Sequence, residues 1–297
     1  MPPRLNQPAR APWVILLSLL AGSGWLLSQT YPSGLSFPFT GTIHFALITL
    51  SAIAIRRGWE PLPRRSLISI LITGLCIFVL PSAAYEFAST AVTPSTTTAL
   101  FCAIPVFATV AAAVFAPGMT QRQLLWPSLA RLLGALLLFP SELPASLRSE
   151  LLFAFLVASC IAIAIAAVRI HSVLQGVPLP QAVAIIALGA SISLGVYGLS
   201  LGWPHISIRI LEVETFRCLA FDLPFVWLLT WLLRETDPIC LSSRFLLTPL
   251  VTVLEGYAII HILPDTRQLT AIVLITAGAL VLLYKNDPED TPSLHLR

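Results

Sequence analysis

Charge is what this sequence has least of. Of its 297 residues, 17 are Lys or Arg and 14 are Asp or Glu, 10% together, where a soluble globular chain carries about a quarter. Hydrophobic residues make up 57%, and the mean hydropathy is +0.87. A chain this apolar has too few polar side chains to cover its surface in water, and lipid is the solvent that permits it. The net charge of +3 is small, and the basic residues sit in short loops. No stretch could track a nucleic-acid backbone, which excludes that partner. The five cysteines (Cys76, Cys102, Cys160, Cys218 and Cys240) include no CxxC pair and lie in or beside apolar runs. They read as free packing thiols, not metal ligands or disulfides. No GxxxxGK[ST] motif is present, so nucleotide hydrolysis is not the driver and no cofactor is expected.

What the sequence does have is long apolar runs. A bilayer core takes about 20 mostly apolar residues per helix, and ten such runs are predicted near residues 13–30, 38–55, 66–90, 95–115, 123–140, 150–171, 180–203, 213–234, 239–262 and 266–285. Breakers separate them, among them Tyr31-Pro32-Ser33-Gly34, Pro61-Leu62-Pro63, Pro117-Gly118 and Asp237-Pro238. No loop is long enough to hold a soluble domain, so the activity must lie within the membrane body. Arg4 and Arg10 ahead of Trp13–Leu27 mimic a signal peptide, but the repeat described next needs this run as a helix. With the N-terminus in the cytoplasm, inside segments hold eleven basic residues, including the loop arginines Arg56, Arg57, Arg64 and Arg65. Outside loops hold three, Arg148, Arg209 and Arg267. The positive-inside rule selects this orientation, with both termini cytoplasmic in an inner-membrane protein.

The chain also repeats itself. Thr93-Pro94-Ser95 matches Asp237-Pro238-Ile239, and Ile104-Pro105-Val106 matches Thr248-Pro249-Leu250, both at an offset of 144; Gly134-Ala135-Leu136 and Gly278-Ala279-Leu280 share that offset. Five helices per unit is an odd number, so the second unit starts on the opposite face. The expected fold is an all-α membrane protein of ten transmembrane helices in two inverted five-helix repeats, residues 1–145 and 146–297. Pro105 and Pro249 each fall mid-span and remove a backbone hydrogen bond. Their paired positions point to bent helices lining a central cavity, the gating hinges, against the alternative of tolerated packing kinks.

The stretch Thr93–Leu100 through Ile104-Pro105-Val106 resembles the fourth helix of an EamA-type repeat. Phe245–Tyr257, with Thr248-Pro249-Leu250, resembles the ninth, and Thr276–Leu283 the last. The chain is similar to the drug/metabolite transporter superfamily. That resemblance implies ten helices in two repeats, and transport of a small solute such as an amino acid, nucleotide-linked sugar, cationic drug or vitamin. Family repeats often end the fourth helix with a Gly-Glu pair; here Pro117-Gly118 and His261-Ile262 stand there. The resemblance therefore implies fold and transport class, not a particular substrate.

Ionisable residues in a membrane span are functional candidates by default. At about 1.5 Å per residue, His44, Glu86, Glu214, Arg217, Asp222 and Glu255 share the outer half of the predicted bundle, with Glu214 at its border. Glu86 and Glu255 would bind a cationic or zwitterionic group or a proton, and Arg217 would pair with one of them or hold a substrate carboxylate. The alternative is a structural ion-pair network locking the outward gate. Asp222, two residues before Pro224, fits the cap of a broken helix. His44 reads as a packed histidine somewhat more readily than as a proton relay. Snorkelling to lipid phosphate is the favoured reading of Arg244, and Arg131 has no account. Trp25, Tyr85 and Tyr257 could wall a cationic or aromatic substrate, although an interfacial aromatic belt explains them as well. Gly22-Ser23-Gly24 reads as close helix packing.

The resulting expectation is a secondary transporter of an amino-acid-like, zwitterionic or cationic solute, working by alternating access with export as its direction, as a monomer or homodimer. Its partners would be the small-molecule substrate and the bilayer. A proton gradient, exchange or facilitated diffusion is left as the energy source. A non-transporting membrane sensor or scaffold and an intramembrane enzyme are the rivals. The enzyme has only His261 and Asp265, split by Pro264 at a helix end. A channel would need a continuous polar stripe. Glu86→Gln and Glu255→Gln should each lower transport or remove its pH dependence. Wild-type uptake and pH response in both variants would sink their assignment.

Overall fold

The computed structural model describes residues 11–30, 34–55, 58–115, 129, 132–139, 146–203, 206–260 and 266–284. Among them the secondary structure is helical throughout, with no strand. The helices are α1 (Ala11–Thr30), α2 (Phe37–Ile55), α3 (Arg64–Phe78), α4 (Leu80–Ala88), α5 (Pro94–Phe101), α6 (Ile104–Phe115), α7 (Leu147–Val173) and α8 (Leu179–Ser200). After these come α9 (Ile208–Arg217), a π-turn (Cys218–Asp222), α10 (Leu223–Glu235), α11 (Pro238–Ser242), α12 (Arg244–Ile260) and α13 (Thr266–Tyr284). Residues 132–138 are also helical. Six helical runs are long and apolar enough to cross a membrane, or seven if the bent pair α3–α4 is one span. The chain is thus an all-α, multi-pass membrane protein. Half of the expected fifth span, residues 123–128, 130, 131 and 140, lies outside the described residues.

Large apolar side chains point outward. Leu50, Ile72, Val114, Leu151, Val196 and Val273 are all more than half exposed, the surface that hydrocarbon requires. Small side chains face inward and let backbones approach. A Cβ on Gly74 of α3 would come within 2.9 Å of Ile186 Cγ1 on α8, and one on Gly198 of α8 would sit 3.2 Å from the Phe39 ring on α2.

Several expected straight spans are broken. The third bends by 42° between α3 and α4. The fourth breaks at Cys102–Ala103, so Pro105 is the second residue of a new helix, α6. The ninth breaks at Ser243, six residues ahead of Pro249, which sits inside α12. The starts of the fourth and ninth spans match. Thr93 caps α5 by accepting from Thr96 N, Asp237 caps α11 by accepting from Ile239 N at 2.7 Å, and a proline follows each cap. The breaks also share one hydrogen-bond pattern. Ala103 N donates to Leu100 O and Val106 N to Ala103 O; Ser243 N donates to Cys240 O and Leu246 N to Ser243 O. In repeat register, however, the second break comes one helical turn earlier. Pro249 leaves the Phe245 carbonyl without its helical N–H, and Cys102 Sγ donates to that carbonyl at 3.5 Å from the other broken span.

Packing follows a pattern. α2 lies along α8. α1 packs on α12 as α7 packs on α5 and α6, and α3 packs on α7 and α8 as α10 packs on α1 and α2. Gly74→Val should lower stability by about 1–3 kcal/mol through overpacking against Ile186. Gly256→Ala, where an added Cβ meets nothing within 4 Å, should leave it nearly unchanged. Thermal unfolding in detergent checks the contrast.

Candidate functional site

His44, Ile48 and Ala52 recur every fourth residue on the buried face of α2. That spacing carries the imidazole into the bundle, where it is 8% exposed. His44 Nε2 lies 2.8 Å from Glu214 Oε2, and Nδ1 lies 2.8 Å from Asp222 Oδ2. Arg217 Nη1 donates to Glu214 Oε1 at 3.1 Å, one turn along α9. Only an imidazolium donates to both carboxylates at once, and in that form two cations balance two anions. Cys218 Sγ also donates to the His44 carbonyl at 3.5 Å.

The π-turn makes this geometry. Eight residues separate Glu214 from Asp222, which on an α-helix puts them about 80° apart around the axis. One extra residue in the turn returns Asp222 to the face of Glu214, so both flank one ring. Leu223 N closes the turn onto Cys218 O. Burial is graded: the Glu214 side chain is fully buried, that of Arg217 11% exposed and that of Asp222 47% exposed. Asp222 is the network's open end.

Glu255 sits apart from this network on α12. Ser23 Oγ of α1 donates to its Oε1 at 2.6 Å. Its Oε2 is buried and has no hydrogen-bond partner among the described residues. The neighbours of Ser23 set this distance. A Cβ on Gly22 would come within 2.9 Å of Val251 on α12, and one on Gly24 within 3.2 Å of Phe221 in the π-turn. Three consecutive residues thus fasten α1 to α12, to Glu255 and to the π-turn.

The structure therefore brings His44, Arg217 and Asp222 together around Glu214, the residue sequence depth left at the border. Glu86 does not join them. It is exposed on α4, which packs on α7. Tyr85 beside it and Tyr257 beyond Glu255 are partly exposed. Pro105 and Pro249 stand on the two broken spans joined by Cys102. The side chain of Trp25, and Arg131, His261 and Asp265, lie outside the described residues. Sequence reading missed Ser23, which a Gly-x-Gly frame marks only as packing. Arg244 does not snorkel: it is 8% exposed, inside the bundle.

A cavity of about 400 Å³ lies where the first turns of α3 and α11 meet the last turns of α6 and α7, lined by Ser69, Phe115, Arg169, His171, Ser172 and Pro238. Arg169 stacks on Phe115 at 5.1 Å, and His171 Nδ1 lies 2.9 Å from Leu233 O. Burial pushes the nearby Asp237 carboxyl above the usual carboxylate range, against the pull of the Ile239 N–H and of His171. Among the described residues no group of three His, Cys, Asp or Glu side chains could hold a metal ion.

No family model and no curated protein matches the sequence. Solved structures do match. One, described as "Crystal structure of protein", has a TM-score of 0.73 at 16% identity, over 96% of this chain and 99% of that one. At that identity the likeness is one of fold.

Removing one member of a buried charge network strands the others. Glu214→Ala should cost about 3–5 kcal/mol of stability, read by thermal unfolding. The double variant Glu214→Leu/Arg217→Met, which removes both ends of one pair, should recover much of that loss.

Proposed function

We propose that this chain is a secondary transporter that moves a small amino-acid-like, zwitterionic or cationic solute out of the cell by alternating access. In this reading it has ten transmembrane helices in two inverted five-helix repeats, similar to the EamA-like drug/metabolite transporters, with both termini in the cytoplasm. The supporting observation is the packing pattern. Exchanging the first five predicted spans for the last five maps α1–α12 onto α7–α6, α3–α7 onto α10–α1 and α3–α8 onto α10–α2, and leaves α2–α8 in place. These principal pairings survive the exchange, while α10–α7 and α10–α8 have no counterpart of similar extent; two related but unequal halves are what alternating access uses. The matched helix starts at Thr93 and Asp237 trade places in that exchange, and the Cys102 thiol joins the two proline-bearing spans that it swaps.

The network around His44 then supplies proton coupling. Asp222 receives a proton from the aqueous side, His44 holds charge between two carboxylates, and Glu214 passes the change to Arg217. Loss of the His44 proton leaves two carboxylates facing an uncharged ring. That electrostatic change acts on the π-turn, the most irregular backbone in the eighth span. Glu255, with one bare carboxylate oxygen against α1, is a second proton or cation site in the same bundle.

Purified protein in liposomes with an imposed pH gradient tests the reading, using a panel of labelled amino acids and cationic drugs. The wild type should move at least one solute faster with the gradient than without it. His44→Gln should bring the rate down to the gradient-free level while the protein stays folded. Gradient-independent transport, or none for any solute in the panel, would overturn the proposal.

A further inference from the structure

Arg244 is a buried cation for which the surrounding helices provide no anion. It opens α12 directly after the break at Ser243, six residues into its span. Its guanidinium lies 4.6 Å from the Phe245 ring centroid and 6.0 Å from that of Phe225 on α10. None of the ion pairs among the described residues includes it.

The surrounding helices explain why. The helices packed most closely on α12 are α1, α5 and α13, and none contains an Asp or Glu. On α10, Glu235 is taken by Arg234 at 2.9 Å. Asp222, three residues before Phe225, is taken by His44. Asp237 accepts from the amide that starts its own helix. On α12 itself the only acid is Glu255, eleven residues and about 16 Å further along the axis. A guanidinium keeps its charge at neutral pH. Two aromatic faces stabilise it without neutralising it. Buried charges persist in a membrane bundle when something pairs with them, and α1, α5, α10 and α13 leave that role to a ligand.

We infer that Arg244 is the receptor for an anionic group on the solute: the site takes a small organic carboxylate with an apolar or aromatic body. The guanidinium fork matches a carboxylate bidentately, and Phe225 and Phe245 make the adjoining wall apolar. The equivalent residue of the first repeat is Leu100, so the site exists once, not twice. This inference uses the transporter reading for what the anion is for, but its binding stands independently. It narrows the solute to one carrying a carboxylate, a zwitterion or an anion rather than a simple cation.

Binding is read without any gradient, on full-length protein in detergent, by thermal shift and calorimetry with benzoate, its neutral isostere benzamide, and inorganic phosphate. Benzoate should raise Tm and bind saturably, and benzamide and phosphate should not. Arg244→Met should weaken benzoate at least tenfold. Arg244→Lys, which keeps the charge but loses the fork, should weaken it by less and guards against a folding defect in the first variant. If benzoate leaves the wild type unshifted, or binds Arg244→Met as tightly, the inference is overturned. Gradient-driven transport that benzoate does not inhibit would overturn it while sparing the transporter reading. Benzoate binding in a protein that transports nothing would do the reverse.

Discussion

Inside hydrocarbon, every amide and carbonyl released by an irregular helix must find a partner within the protein, and among the described residues four spans are interrupted. That requirement governs where the interruptions fall and what surrounds them. The breaks at Ala103 and Ser243 tighten to i→i−3 hydrogen bonds, so most freed groups are satisfied locally. One carbonyl that local tightening misses, that of Phe245 below Pro249, takes a thiol from the opposite span. The π-turn keeps its own ladder through Leu223 and Cys218. The proline kink of α12 and the π-turn are each also tied to another helix, by Cys102 to the Phe245 carbonyl and by Cys218 to that of His44.

The charges obey a parallel rule. His44, Glu214, Arg217 and Asp222 neutralise each other across α2, α9 and the π-turn, and buried ion networks of this kind are tolerated in lipid because the partners are complete. Against that background two groups are conspicuous for being incomplete: one oxygen of Glu255 and the whole of Arg244. They bracket Pro249 on one helix, a carboxylate on one side and a guanidinium on the other. A helix with an open acid and an open base about 16 Å apart, interrupted beside one of them, is polar along its length in a way its first-repeat counterpart is not.

The sequence made the helical class and the approximate limits of most spans legible, because apolarity is a one-dimensional signal and lipid demands it over a fixed length. The repeat was legible where Pro94 and Pro238, or Pro105 and Pro249, keep a common offset. The break points were not. Proline marks where a hydrogen bond is lost, but the chain yields where neighbouring helices permit, at Ser243 rather than at Pro249. The site was half legible. Residue count along a helix gives depth and so gathered His44, Arg217 and Asp222, but it fixes the face only for a regular helix. The π-turn rotates everything beyond it, and no residue in Cys218–Asp222 announces it. For the same reason Glu86, at the right depth, stands on the wrong helix, and Glu214, marginal by depth, is the most buried member of the network.

The buried cysteines take on a meaning that composition did not give them. Cys102, Cys160 and Cys218 each direct sulfur at a backbone carbonyl of another span, those of Phe245, Leu100 and His44, and all three at 3.5 Å. A thiol is a weak donor. It satisfies a carbonyl well enough to hold it in lipid, yet gives it up at less cost than a hydroxyl or an amide would. Placed at the crossings between spans, these sulfurs add weak cross-links where a hydroxyl or an amide would add stronger ones. Two of these joints reach the residues that matter most, Cys218 through the His44 carbonyl and Cys102 through that of Phe245, so exchanging sulfur for oxygen there would alter the crossing that holds each one in place.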